Sequence, residues 1–139
     1  MYRIPPAGKP ISIIDLSGVP SDVVDVVVSV LCRTIFDFTL WNVKRDQLPL
    51  LLVCEEAHRY APRGAEAAFQ PTKHALARIA KEGRKYGVGL ALVTQRPSEL
   101  SETILSQCNT IVALRMSNED DQQFVRKSLP DSVKSLVDA

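Results

Sequence analysis

The sequence predicts an α/β fold in which a mostly parallel sheet is flanked by helices. Four short apolar runs are each followed by a segment with helical spacing, so strands and helices alternate along the chain. Strands connected through helices pair in parallel, with right-handed crossovers. At 139 residues, the chain is long enough for one domain with its own core.

The composition is that of an ordinary globular protein, with 45% apolar and 24% charged residues. A net charge of +1 provides no overall attraction to nucleic acid or lipid, so a DNA contact would need a local patch or residues outside this chain. The three scattered cysteines predict buried thiols in a reducing cytoplasm. Residues 23–41 are strongly apolar, but Asp25, Arg33 and Asp37 make them a poor membrane helix, and no membrane partner is expected.

Residues 11–16 form the first predicted strand, and Ser21 is expected to cap the helix that follows. Many residues of this helix favour strands, but the spacing of its polar residues overrules that preference. Apolar residues surround the polar stripe, which predicts a helix packed deeply against the sheet, with Trp41 in the core or at an interface. The stripe consists of Asp22, Asp25, Ser29, Arg33 and Asp37.

The later part of the chain repeats the alternation of strands and helices. A basic helix is predicted over residues 72–86, with Leu76, Ile79 and Ala80 on its inner face and Gly87 at its end. Two further strands are predicted over residues 88–94 and 110–114. Helices are predicted over residues 97–107, from a cap at Asn118 to residue 129, and in a short segment that begins at Pro130.

Two adjacent carboxylates follow the second predicted strand, residues 50–54. An apolar run this short is typical of a strand buried on both faces, and Glu55 and Glu56 emerge at its carboxyl end, where open α/β sheets bind ligands. One acid can hold a hydrated Mg²⁺ while its neighbour orients or deprotonates an attacking water, as in a Walker B element. Alternatively, the two acids only begin a helix, since carboxylates suit the positive end of its dipole.

Two further features converge on this pair of acids. Gln95 follows the next strand, so its amide could hold a water or a γ-phosphate oxygen in the same crevice, or could only satisfy local backbone groups. Arg78, Lys81 and Lys85 share one face of the preceding helix, with Arg84 beside them. This run is either a solvated face or, at Arg84, an arginine finger that reaches the phosphates of a neighbouring subunit.

Three blocks of sequence resemble the HerA–FtsK group of hexameric DNA-translocating ATPases, and most closely its HerA branch. They are IIDLSGVPSDVVDVVVSVLCRTIFDF, LLVCEEAHRYAP and ALARIAKEGRKYGVGLALVTQRPSELSETILSQCNTIVALRMSNEDD, which cover nearly the whole chain. The resemblance implies a RecA-like P-loop NTPase core from a cytoplasmic hexamer that uses ATP and Mg²⁺ to translocate on or unwind double-stranded DNA. It also implies a role in DNA end processing or repair, with a nuclease partner of the NurA type.

The resemblance also implies roles for individual residues. Glu55 lies at the Mg²⁺-coordinating position, where aspartate is commoner. Its carboxylate is expected to contact Mg²⁺ either directly or through water. Glu56 lies at the position of the catalytic base, and Gln95 at that of the polar sensor. Arg84, within GRKYG, matches the position expected for the intersubunit arginine finger. His58 is interpreted as a residue at a helix start rather than a metal ligand, because the chain lacks an HExxH motif.

The chain departs from the family pattern because it contains no GxxxxGK[ST] loop. Its only Gly-Lys pair, Gly8 and Lys9, is followed by Pro10 and lacks both the upstream glycine and the hydroxyl that Mg²⁺ needs. We therefore expect residues 1–139 to be the Walker B half of a RecA-like core, inactive alone, without the Walker A strand and loop or the family's N-terminal barrel. The alternative is a non-catalytic interaction module that kept the fold without nucleotide binding.

The missing Walker A strand has a structural consequence. In a RecA-like sheet that strand lies between those matching residues 88–94 and 110–114. Without it, two strand edges are left unpaired or are brought together. We expect these two strands to pair with each other directly or across a dimer.

Overall fold

The computed structural model describes residues 11–42, 49–64 and 70–128. The predictions for residues 1–10 and for a helix after Pro130 lie outside these ranges. The order of helices and strands confirms the α/β class and is consistent with a partial RecA-like core. The elements are α1 (Ser21–Trp41), β1 (Leu50–Cys54), α2 (Gln70–Glu82), β2 (Val88–Leu92), α3 (Glu102–Leu105) and α4 (Glu119–Ser128), with 3₁₀ turns at Ala57–Arg59, Gly83–Tyr86 and Pro97–Glu99.

Strands β1 and β2 pair in parallel, as predicted, with Leu50 opposite Val88 and Cys54 opposite Leu92. Helix α2 provides the crossover between them, so one β-α-β unit forms the centre of the structure. The carboxyl ends of both strands consequently lie at the same edge of the sheet.

The helices cover only one face of this sheet. Leu50, Leu52 and Cys54 of β1 join the core, whereas Leu51 and Val53 on the opposite face are exposed. The prediction that this strand is buried on both faces is therefore wrong for the part of the chain that the structure describes. An uninterrupted apolar run does not indicate how many faces are covered, because each face needs its own packing partner.

Residues 11–16 and 110–114 do not form the predicted strands. Their side chains are largely exposed, Ile13 by 89% and Leu114 by 81%. A strand needs a neighbour for its backbone N–H and C=O groups, and among the described residues only β1 and β2 have one in a sheet. Direct pairing of residues 110–114 with β2 is thus wrong, while pairing across a dimer stays a prediction.

Helix α1 packs mainly against α2 rather than deeply against the sheet, which corrects the predicted position. Its inner stripe contains Val24, Val28, Cys32 and Phe36, but much of its apolar surface is exposed, including Trp41 at 80%, which is therefore not in the core. Pro20 occupies the cap position, so Ser21 is the first helical residue and not the cap. Among the described residues, no helix combines the length and apolarity needed to cross a membrane.

Helix α2 has the predicted inner face, with Leu76 and Ile79 buried. It continues into the 3₁₀ turn Gly83–Tyr86, and Gly87, at φ 79°, ends this segment as predicted. Gly83 is required by packing, since a Cβ there would lie 2.7 Å from the carbonyl oxygen of Val88. The start of the 3₁₀ turn therefore lies directly against the first residue of β2.

The predicted cap of the last described helix is confirmed. The side-chain Oδ1 of Asn118 accepts a hydrogen bond from the backbone N–H of Asp120 at 3.0 Å. Helix α4 packs against the 3₁₀ turn Pro97–Glu99, which lies just beyond the end of β2. This places the start of α4 close to the carboxyl edge of the sheet.

Candidate functional site

The backbone pairing of β1 and β2 continues past the ends of the strands. The N–H of Val93 donates to the carbonyl of Cys54 at 2.9 Å, and the N–H of Ala57 donates to the carbonyl of Val93 at 3.0 Å. Glu55 and Glu56 are therefore confined to a tight turn whose two sides are bonded to the same residue of the neighbouring strand. This bonding fixes the backbone that carries both acids.

Glu56 has φ 50° and ψ 45° and is the only non-glycine residue with positive φ among those described. This left-handed conformation costs a non-glycine residue about 1–2 kcal/mol. It is held by the fully buried Ala57 that follows and by a hydrogen bond from the N–H of Arg59 to the carbonyl of Glu56 at 2.9 Å. Backbone strain of this kind is concentrated at functional sites, so Glu56 is a candidate functional residue.

Glu56 and Gln95 lie together at this edge, as the strand order predicts. The Nε2 of Gln95 donates to the Oε1 of Glu56 at 3.1 Å. Both residues remain accessible, with the Glu56 side chain 45% exposed, so a ligand could reach the carboxylate and the amide together.

Glu55 is exposed and makes no hydrogen bond or ion pair with any residue in the described ranges. Its carboxylate is therefore available to a ligand next to Glu56. Carboxylate oxygens suit Mg²⁺, which proteins commonly bind through one or two carboxylates together with phosphates and waters. Within the described ranges, no group of three or more His, Cys, Asp or Glu side chains is placed to bind a metal ion.

His58 also belongs to this cluster, although its sequence context predicts only a residue at a helix start. Its Nδ1 lies 3.1 Å from the Oγ1 of Thr94 and 3.5 Å from the Oε2 of Glu56. The Oγ1 of Thr94 in turn accepts the backbone N–H of Arg96 at 3.0 Å. The signal that could have found His58 is its position in the turn after β1, two residues beyond Glu56 and facing the end of β2.

Arg84 is not brought to this cluster within one chain. It lies in the turn before β2, whereas Glu56 and Gln95 follow the opposite ends of the strands. Since β2 has five residues and a strand rises about 3.3 Å per residue, at least roughly 13 Å of strand lies between the two sites. Arg84 is exposed and this far from its own chain's carboxyl edge, so an arginine-finger role would require the edge of another chain.

Ser98 holds the loop after β2 in place. The backbone N–H and the Oγ of Ser98 donate to the Oδ1 of Asp121 at 3.0 and 2.7 Å. Asp121 is buried in the first turn of α4, so these bonds join α4 to the edge of the sheet. Glu99 pairs with Arg96 at 3.1 Å and is exposed.

Comparison with known proteins finds relatives among helicases, while no family model matches the chain. The DNA double-strand break repair helicase HerA of Pyrococcus furiosus is 49% identical over 90 residues, which is 65% of this chain and 16% of that protein. The protein of the same name from Sulfurisphaera tokodaii is 34% identical over 132 residues, 92% of this chain and 26% of the relative. A probable helicase of Methanocaldococcus jannaschii is 36% identical over 131 residues, 91% of this chain and 25% of the relative.

The chain thus spans between 16% and 26% of the length of these three relatives. In two of the three comparisons the aligned region extends through nearly all of the chain, so it includes both the fold and the acid-bearing edge. The resemblance inferred from the sequence is confirmed, and the chain is a HerA-type sequence that corresponds to part of a HerA-type protein.

Proposed function

We propose that this chain contributes the acid-bearing edge of the ATPase core in a HerA-type DNA repair helicase. The observation that carries the proposal is the hydrogen bond between Gln95 and Glu56, because it joins the ends of two neighbouring parallel strands at the edge where α/β sheets bind nucleotides. The relatives named as helicases support the same assignment.

The roles of the side chains follow from their positions. Glu56 acts as the base, taking a proton from a water or orienting it for in-line attack on the terminal phosphate of ATP. Gln95 directs that water or a γ-phosphate oxygen through its amide. Glu55 holds Mg²⁺ directly or through water, and the ion when bound neutralises charge on the phosphates.

This edge needs a phosphate-binding loop from elsewhere in the parent protein. The chain has no GxxxxGK[ST] sequence, and the acids stand exposed at the edge of the two-stranded sheet. We therefore propose that the chain alone hydrolyses no ATP, and that the parent assembles the complete site in a Walker A and Walker B arrangement. The exposed apolar side chains at residues 11–16 and 110–114 fit a larger sheet of this kind.

Arg84 fits a role between subunits rather than within one. Its exposure and its position at the far end of β2 are what an arginine finger acting on a neighbour's nucleotide would need. We propose a homo-oligomer, a hexamer as in the group it resembles, that moves along double-stranded DNA with a NurA-type nuclease as partner. Mixing Arg84→Ala with Glu56→Gln subunits should restore some hydrolysis, whereas a finger acting within one chain would give none beyond the separate proteins.

The test of the proposed site is ATP hydrolysis by the full-length native protein with Glu56→Gln. We expect a loss of about 10²- to 10⁴-fold in kcat, because the amide cannot accept a proton. The matched control is Glu82→Gln, the same change at an exposed acid that ends α2 away from the site. Unchanged hydrolysis in Glu56→Gln would remove this residue from its proposed role.

The second candidate is an interaction module that has the fold but does not hydrolyse nucleotide. The observation in its favour is the absence of a phosphate-binding loop sequence from these 139 residues. A full-length native protein that neither binds nor hydrolyses ATP would favour this module over the motor.

A further inference from the structure

The imidazole of His58 is more enclosed than the acid beside it. The His58 side chain is 17% exposed and the Glu56 side chain 45%. The 3₁₀ turn Ala57–Arg59 carries the ring across to the end of β2, where Nδ1 lies 3.1 Å from the hydroxyl of Thr94. The ring therefore lies between the two strand ends that form the proposed site.

The neighbours of Nδ1 determine which atom carries the hydrogen. Nδ1 faces two oxygens, the hydroxyl of Thr94 and the Oε2 of Glu56, at 3.1 and 3.5 Å. The Thr94 hydroxyl can either accept from Nδ1 or donate to it, so the carboxylate decides: a bare Nδ1 would direct its lone pair toward Glu56, which is repulsive, whereas an N–H there is attracted to it. Thr94 is itself held, because its Oγ1 accepts the N–H of Arg96 at 3.0 Å.

The carboxylate of Glu56 consequently has a neighbour beside each of its two oxygens. Gln95 donates to Oε1 at 3.1 Å, and the imidazole lies on the side of Oε2. A glutamate side chain has considerable rotational freedom, and a base works only when an oxygen is within hydrogen-bonding reach of the proton it removes. The hydrogen bond on Oε1 and the electrostatic contact on Oε2 together restrict the carboxylate more than the hydrogen bond alone would.

We propose that His58, anchored on Thr94, is a positioning residue that orients Glu56 for attack on water. This inference rests on the proposed function and deepens it. His58 touches no reacting atom and acts only through Glu56. Losing its Nδ1 donor should therefore lower kcat and leave the KM for ATP unchanged, because nucleotide binding does not involve the imidazole.

A matched pair of variants separates the donor from the bulk of the ring. In His58→Asn the amide nitrogen takes the place of Nδ1, whereas in His58→Gln it reaches the place of Nε2. In the full-length native protein, we expect His58→Gln to lose on the order of 10-fold in kcat at unchanged KM, and His58→Asn to retain most of the activity. Equal activity in the two variants, or a change confined to KM, would overturn the proposal.

A second measurement is independent of hydrolysis and of how well the His58 variants fold. The chain has two histidines, so His74→Gln leaves His58 as the only imidazole. At a pH that keeps this ring neutral, its ¹⁵N spectrum should show a hydrogen-bearing Nδ1 and a bare Nε2. Adding Thr94→Val should shift the Nδ1 resonance. A bare Nδ1 in the spectrum of the His74→Gln variant would contradict the proposed donor.

The outcomes distinguish this inference from the proposed function. If Glu56→Gln leaves hydrolysis intact, the proposed function fails whatever the His58 variants do. If Glu56→Gln abolishes hydrolysis while His58→Gln matches the wild type, the positioning role alone is wrong.

Discussion

The carboxyl edge of the sheet and the two apolar segments at residues 11–16 and 110–114 are organised very differently. At the edge, strand pairing continues into side-chain bonds that join Glu56, Gln95, His58 and Thr94. The sequences of the two segments are typical of strands, as those of β1 and β2 are. The segments nevertheless form no strand, and their apolar side chains are mostly exposed.

The difference lies in where each region finds its partners. Among the described residues, the hydrogen-bond partners of the edge all lie between residues 50 and 121, so the β-α-β unit and α4 hold its side chains in place. A strand at residues 110–114 needs a neighbouring strand, and none of the described residues forms one beside it. We infer that the edge is preformed in this part of the protein, whereas the two segments pair only with strands outside the described residues, in the larger parent or across a dimer.

The largest expected effect contrasts two leucines, one from each region. Leu76 is fully buried within the β-α-β unit, on the inner face of α2, whereas Leu114 is 81% exposed. Leu76→Ala should lower the free energy of unfolding of the chain by about 2–5 kcal/mol, since it removes buried contacts and leaves a cavity. Leu114→Ala should change it by less than about 0.5 kcal/mol in urea unfolding. Similar losses would show that residues 110–114 are packed in solution.

A smaller effect is expected where α4 joins the edge. Asp121 is buried and accepts two hydrogen bonds from Ser98, while the adjacent Asp120 is exposed in the same helical turn. Asp121→Ala should cost about 1–3 kcal/mol, because it leaves two partly buried donors of Ser98 without their partner. Asp120→Ala is the matched control and should cost only a few tenths of a kcal/mol. If thermal unfolding shows equal losses of stability in the two variants, the hydrogen bonds between Ser98 and Asp121 make no specific contribution to stability.

The smallest effect concerns the cysteines of the core. Burial raises the pKa of Cys32 to about 12 and that of Cys54 to about 11, from an ordinary value of 9.0. The folded state therefore keeps both thiols neutral while the unfolded state ionises, so stability falls as the pH rises above that ordinary value. We expect a loss of about 1–2 kcal/mol between pH 8 and pH 9.5. Cys32→Ala should show a shallower fall, and an identical pH dependence would contradict the burial of this thiol.

The features that sequence predicted well depend on local patterns. The spacing along α2, its end at Gly87 and the cap at Asn118 each involve residues a few positions apart. The meeting of Glu56 with Gln95 followed from the rule that successive parallel strands end at one edge.

The features that sequence did not predict depend on distant partners. How many faces of β1 are covered, and whether residues 11–16 pair, is decided by other segments rather than by the residues themselves. His58 was missed for a different reason, since its role depends on Nδ1 facing Thr94, a contact across 36 positions of sequence. The left-handed conformation of Glu56 likewise had no sequence signal, because glutamate rarely adopts it.

We propose that Glu56 and Gln95 act as one unit at the shared edge of β1 and β2. The most direct test is a double-mutant cycle with Glu56→Gln and Gln95→Ala, followed by single-turnover ATP hydrolysis in the full-length native protein. If the two residues act together, each single variant slows hydrolysis and the double variant is about as slow as Glu56→Gln alone. Losses that multiply in the double variant would contradict the account, because the two side chains would then act independently.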